Sequence, residues 1–427
     1  MGLGLGLGLS RTGVSARTAY GLAWNQSTDT YERLGTLEDY DVSYSNAPLS
    51  NVTEADLPIH SKMRRCLLND DGTVNYYLDS DNSDLKADGE TASDLTGADG
   101  QVMVEIPKFY YRQSYSDNTH SWEISPFNLS GYSLHPAFLK DGAEVDYRYM
   151  SAFEGSMYDS SESAMCAQAD IPNSLYASGD KMCSVAGQWC KTNEDRAEYR
   201  DMAAERGTGW RQMDYYLYSA VQLLYLIEYA NFNSQTKIGA GRTELSGGDW
   251  IADSYIGETG MSVSDGNFSN SVANGGANYD TDYMTYRGIE NLFGNVWKMV
   301  DGWTVDGTWT GAPAAMPMYA TNDASKFADA NDMGVAKLCD ASYIGDSADY
   351  IGNIEEAVGF IPSAGGGSSS TELCDYYWQY SESGRDYWRV PLVGGYAAYG
   401  GVAGAFALIV YFHWALDSSY VGARLCF

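Results

Sequence analysis

The sequence predicts an α+β protein. Two stretches in the middle of the chain have helical spacing of apolar residues, short strand-like runs bounded by turn residues surround them, and long Gly/Asn/Ser-rich stretches show no period at all. The expected layout is two central helices, small twisted antiparallel sheets and long irregular loops.

The elements follow in chain order. Residues 1–45 open on MGLGLGLGLSRTG, where Gly and Leu alternate and no Lys or Arg precedes the Leu run. A signal peptide needs a basic start and a longer apolar core, so this stretch reads as an attachment or oligomer-contact segment. Residues 46–100 read as a small β-rich region. Within it Leu67–Asp79 is a hairpin turning at Asp70, Asp71 and Gly72. The acidic run Asp79–Glu90 has carboxylates at some positions of a calcium loop. Asp84, however, stands where that loop needs glycine, and the run reads as a plain acidic loop.

Residues 101–427 read as the main domain. Val102, Val104 and Ile106 share one face of a strand, with Pro107 setting its edge. Thr192 is placed to cap a helix ending at Gly207, and Gln212–Ser234 makes a second helix with Leu217, Val221, Leu224 and Tyr225 on one face. From Ile238 to about Asn278 the chain is irregular, and from Tyr286 onward it reads as short strands joined by long loops.

Composition excludes several functions. Lys and Arg number 26 against 57 Asp and Glu, a net charge of −31, which repels nucleic acid and anionic membranes. The most apolar run, Ala407–Leu416, is too short to span a bilayer. Neither a nucleic-acid partner nor membrane insertion is expected. The seven cysteines form no CxxC pair, Cys183 and Cys190 lack a nearby His, and they read as mostly buried small hydrophobes. No metal and no cofactor is expected. The four histidines are scattered, and His135 before Pro136 reads as a structural turn.

The most specific stretch is Tyr286–Trp303, containing GNVWKMVDGW, where Gly294 allows a tight turn and Val296, Trp297 and Val300 are apolar anchors. This segment is similar to the GNVWEW segment of the formylglycine-generating-enzyme branch of the C-type lectin fold. WRVPLVGG (Trp388–Gly395) and the closing GARLCF (Gly422–Phe427) resemble two strands of the same branch. The catalytic members of that branch need a reactive cysteine pair in the terminal segment, yet no cysteine lies between Gly394 and Gly422. No enzyme activity is therefore expected, and a formylglycine-generating-type oxidase is the alternative.

Some members of that fold are variable proteins of diversity-generating retroelements, many of them on phage tails. The segment of about 392–422 resembles such a variable region, and GADGQVMVEIPKFYYR and IEYANFNSQTKIGAGRTE resemble phage tail proteins of this type. In those systems adenines are rewritten, mostly in asparagine codons. Randomising the first two bases of such a codon cannot give Lys, Glu, Gln, Met or Trp. Between Leu392 and Gly422 there is no Lys, Glu, Gln or Met, and Trp414 is assigned to the framework.

The resemblance implies a phage tail adhesin, made in the host cytoplasm and carried on the virion tail tip. It would bind a host surface receptor, protein or glycan, and other tail proteins, as a homotrimer. A diversified bacterial surface-display protein is a further alternative. The candidate binding positions are Tyr396, Ala398, Tyr399, Val402, Ile409, Tyr411, Phe412, His413, Leu416, Asp417 and Tyr420, expected to face solvent. The framework candidates are Trp297, Trp303, Gly395, Phe406 and Arg424.

Overall fold

Sheets dominate the architecture. The computed structural model describes residues 19–38, 57–173, 175–245, 256–273, 281–308, 316–341, 348–371, 373–379 and 386–427. Strand accounts for 36% and helix for 13%, with many small sheets and a curled half-barrel. The expected α+β class with two organising helices is therefore overturned: the chain is mostly β. Among the described residues only three α-helices occur, α1 (Arg196–Ala204), α2 (Tyr215–Tyr229) and the single turn α3 (Ser234–Lys237). The physical reason is long-range strand pairing, which local spacing does not report.

Three sheets carry most of the structure. The first has five strands in the order Thr30–Gly35, Tyr20–Asn25, Thr119–Ser125, Tyr110–Ser116 and Ser133–Leu134. The second has six, with Gln101–Pro107 between Arg64–Leu68 and Tyr147–Ser151, and Leu425–Cys426 beyond the latter. All seven residues of Gln101–Pro107 are buried. Pro107 is thus no edge marker, because it lies opposite Tyr147 in a central strand. The third and largest sheet has ten strands and contains Trp297–Met299, Trp303–Asp306, Trp388–Val393, Leu408–His413 and Tyr376–Trp378.

The divisions expected at residues 45 and 100 do not separate sheets. Tyr20–Asn25 pairs with Thr119–Ser125, and Arg64–Leu68 pairs with Gln101–Pro107. Arg33 ties the N-terminal hairpin to the centre by donating to the carbonyls of Ile227 and Glu228 at the end of α2. The Gly/Leu segment proposed for oligomer contact lies outside the described residues.

Helix α2 is buried almost all round, as its apolar sequence requires. Asp214 caps it by accepting from Leu217 N, and Arg148 pairs with that carboxylate at 2.5 Å. Helix α1 starts at a capping box of Asp195 and Glu198, so the cap is Asp195 and not Thr192. The acidic loop spends its carboxylates on turns: Asp79 accepts from the N–H groups of Asp81 and Asn82, and Asp88 from those of Glu90 and Thr91. His135 caps a short 3₁₀ turn, accepting from Ala137 N.

Candidate functional site

The C-terminal segment runs as strand, loop, strand and turn across the largest sheet. Trp388–Val393 lies antiparallel to Leu408–His413, which in turn lies parallel to Tyr376–Trp378. Leu408, Ile409 and Val410 are all buried, two against the core around α2 and Ile409 against the opposite cluster. A strand covered on both faces has no alternation, which is why this run has no rhythm in the sequence.

The backbone of the intervening loop is held by residues outside the segment. Ala397 N donates to Asn295 O at 3.0 Å, Gly400 N to Thr243 O at 2.7 Å, and Leu245 N to Ala397 O at 2.8 Å. From below, Gln235 donates to the carbonyls of Gly400 and Ala403, while Tyr218 and Gln222 donate to that of Ala405. Gly395 has φ +77°, and a Cβ there would come within 2.6 Å of the Ala403 Cβ. Phe406 is buried against Phe232, Phe360 and Tyr225, with ring centroids 4.9, 5.1 and 5.9 Å away.

Trp297 lies against this segment, and Arg424 is buried on the chain that follows it. The Trp297–Met299 strand pairs with Trp388–Val393 on one side and with Val421–Gly422 on the other. The Trp297 ring is buried, 5.4 Å from Trp378 and 5.3 Å from Tyr399. Arg424 is buried and donates to the carbonyls of Ser151, Glu290 and Asn291. Trp303 is buried farther away, packed on Tyr215 at 4.5 Å.

The candidate binding positions fall into two groups. Ala398, Tyr399, Val402, Tyr411, Phe412, His413, Leu416 and Tyr420 are half-buried, and Asp417 is exposed. Ile409, expected at the surface, is instead 1% exposed and belongs to the packed cluster. Tyr396 is also buried, at 9%. Ile409 points into the layer that carries Trp297 and Leu392, and that packing removes it from the face.

The aromatic rings of this region touch in series. Tyr420 lies 5.3 Å from Tyr396, Tyr396 4.5 Å from Tyr399, and Tyr399 4.8 Å from Trp378. The series continues through Tyr376 at 4.9 Å to Tyr350 at 4.6 Å. Tyr411 and Phe412 form a second contact at 4.2 Å, and His413 sits between Tyr387 and Trp414. Burial, with Tyr420 alongside, pushes the Tyr396 phenol up to about 12, so it stays neutral at physiological pH. Tyr350, Tyr376 and Trp378 escaped the sequence reading. For Tyr376 and Trp378 the signal was the dense aromatic run of Asp375–Trp378, in which they alternate around the buried Tyr377; Tyr350 lies on the separate strand Ala348–Ile354.

Asp375 anchors the start of the terminal strand. Its buried carboxyl accepts from Phe406 N at 2.8 Å and packs so tightly on Gly404 that a Cβ there would sit 2.2 Å from both oxygens. Burial pushes this carboxyl up to about 8, against the opposing pull of the backbone N–H groups of Phe406 and Ala407. Between its ordinary pKa of 3.8 and about 8, the folded chain holds a proton that the unfolded chain has released. Its contribution to stability is therefore full below pH 4 and declines as pH rises to about 8. Asp375→Asn cannot titrate. Its stability advantage over the parental chain should widen steadily from pH 5 to pH 8, by about 1.4 kcal/mol per pH unit at most. Denaturant melts of both proteins across that range check the slope; a constant gap would show that Asp375 ionises normally.

Among the described residues no group of three or more His, Cys, Asp or Glu is placed to hold a metal, and no helix is long and apolar enough to cross a membrane. Compared with known proteins, the chain matches no family model and no curated protein.

Proposed function

We propose that this chain is a phage tail receptor-binding protein of the retroelement-diversified kind, and that the face built by residues 396–420 is its adhesive surface. The observation that carries the reading is a division of labour within one segment. Backbone bonds from Thr243, Asn295 and Gln235 fix the loop, while the side chains of Tyr399, Val402, Tyr411, Phe412, Leu416 and Tyr420 remain partly open. A surface that must change its contacts without losing its fold needs that separation. Partly open aromatics supply large contact area at low entropic cost. The restricted residue set between Leu392 and Gly422 agrees with rewriting of asparagine codons. Adhesion at a tail tip needs no catalytic group. The proposed setting is the virion tail, as a homotrimer in contact with other tail proteins.

The test is a variant carrying Tyr399→Ser, Tyr411→Ser, Phe412→Ser and Tyr420→Ser together. Anchoring aromatics at interface centres contribute about 2 kcal/mol or more each. Fluorescently labelled parental protein should stain at least one strain in a broad bacterial panel, and the variant should stain none while still melting cooperatively. A folded variant that stains the same strain as the parental protein would place the receptor site elsewhere.

A further inference from the structure

We infer that Tyr350 and Tyr376, backed by the buried Trp378, form a constant aromatic anchor beside the diversified positions, and that the receptor seated on both is a protein. The inference rests on the reading of residues 396–420 as a binding face. All three residues lie outside the 392–422 segment, so rewriting of that segment leaves them unchanged. Tyr350 and Tyr376 are nonetheless part of the same surface, with Trp378 buried behind them. The parallel pairing sets Trp378 opposite Ile409, and the ring series Tyr350, Tyr376, Trp378, Tyr399 crosses from fixed to variable residues at centroid distances of 4.6, 4.9 and 4.8 Å. Tyr350 and Tyr376 are half-buried, and Trp378 backs them at 7% exposure. A stable protein interface covers about 800 Å² on each partner. A partner that covers Tyr399 and Tyr420 at that scale also reaches Tyr376.

The chemistry of the face selects the kind of partner. Successive rings are inclined at 82°, 53°, 49° and 89° along Tyr350, Tyr376, Trp378, Tyr399 and Tyr396. The end pairs meet edge to face and the middle two are tilted, so this series makes no coplanar platform on which sugar rings could stack in sequence; the flatter pairs, Tyr396 with Tyr420 at 33° and Tyr411 with Phe412 at 38°, stand apart from the fixed rings. Residues 393–421 contain no Arg, Lys, Asn, Gln or Glu. Asp417 is the one carboxylate in the stretch, and none of those side chains stands beside it to complete the paired donor-and-acceptor set that grips neighbouring sugar hydroxyls. The net charge of −31 opposes anionic envelope polymers and favours a partner with cationic groups around an apolar centre. Aromatic anchors surrounded by lesser contacts are the pattern of protein hot spots.

The experiment displays the full chain with asparagine-derived codons (first two bases random) at Ala398, Tyr399, Val402, Tyr411, Phe412, His413, Leu416, Asp417 and Tyr420. The library is selected separately on lysozyme, a basic protein, and on mannan, a neutral polysaccharide. The expected result is a set of lysozyme binders of differing sequence and no mannan binders even among clones that carry Asn, Asp or Arg, because the fixed Tyr350, Tyr376 and Trp378 rings offer no coplanar platform. Adding Tyr350→Ser and Tyr376→Ser to each selected clone should weaken its Kd by about 10-fold or more with the melting temperature held. If the Ser pair lowers the melting temperature, Tyr350→Leu with Tyr376→Leu keeps the apolar packing and should show the same loss. Lysozyme clones that keep their affinity within about twofold would overturn the constant anchor and leave the binding face standing. Binders to mannan alone would overturn the protein partner. A library that yields no binder to either target would remove the binding face itself.

Discussion

Trp297→Ala costs about 3–5 kcal/mol of stability, the range for truncating a buried Trp. Net stabilities of folded domains are about 5–15 kcal/mol, so the variant should melt far below the parental protein or fail to fold. The reason is position as much as size. Trp297 is fully buried, lies on a strand paired on both sides, and supports Trp378 and Tyr399 from beneath. Its Nε1–H finds no acceptor among the described residues. Trp297→Phe removes that unpaired donor along with part of the ring, and should cost clearly less than Trp297→Ala. Circular dichroism melts of both variants check the order. Near-parental stability of Trp297→Ala would mean that the face does not rest on this ring.

Arg424→Met has an effect of similar size for a different reason. The guanidinium sits in the interior and satisfies carbonyls from two separate segments, Ser151 on one and Glu290 with Asn291 on the other. The carboxylates of Glu154 and Glu290 are close enough to favour its charge. Met fills much of the volume but strands the carbonyls and leaves those carboxylates less compensated. Removing one partner from a buried charged network costs roughly 3–5 kcal/mol. Arg424→Lys restores the charge without the planar fork and should recover less than half of the loss. Denaturant midpoints of the three proteins test this. Equal midpoints for parental and Arg424→Met would show that the network adds nothing net.

What the sequence made legible was local. The GNVWKM stretch marked Trp297 because bulky apolar residues follow a turn glycine. Helical spacing marked the stretches that hold α1 and α2, but it could not show how little of the chain they organise. The sheets join residues far apart, such as Tyr20–Asn25 with Thr119–Ser125, and no local pattern reports such a pairing. The same limit hid the terminal strand. Leu408, Ile409 and Val410 are enclosed from both sides, so in the sequence Ile409 looked like any other apolar position between Leu392 and Gly422. Tyr376 and Trp378 were missed because only the parallel pairing with Leu408–His413 brings them to the face.

In the proposed function, residues 396–420 form a rewritten adhesive face on a fixed framework. Sequencing the coding region of this chain in many sibling genomes tests it most directly. A rewritten face would show nonsynonymous differences concentrated in the codons for Ala398, Tyr399, Val402, Tyr411, Phe412, His413, Leu416, Asp417 and Tyr420, each at the first two bases. There would be none at Trp297, Tyr376, Trp378, Gly395, Ile409, Phe406 or Arg424. Differences spread evenly along the chain, or falling equally on buried and open positions, would contradict it.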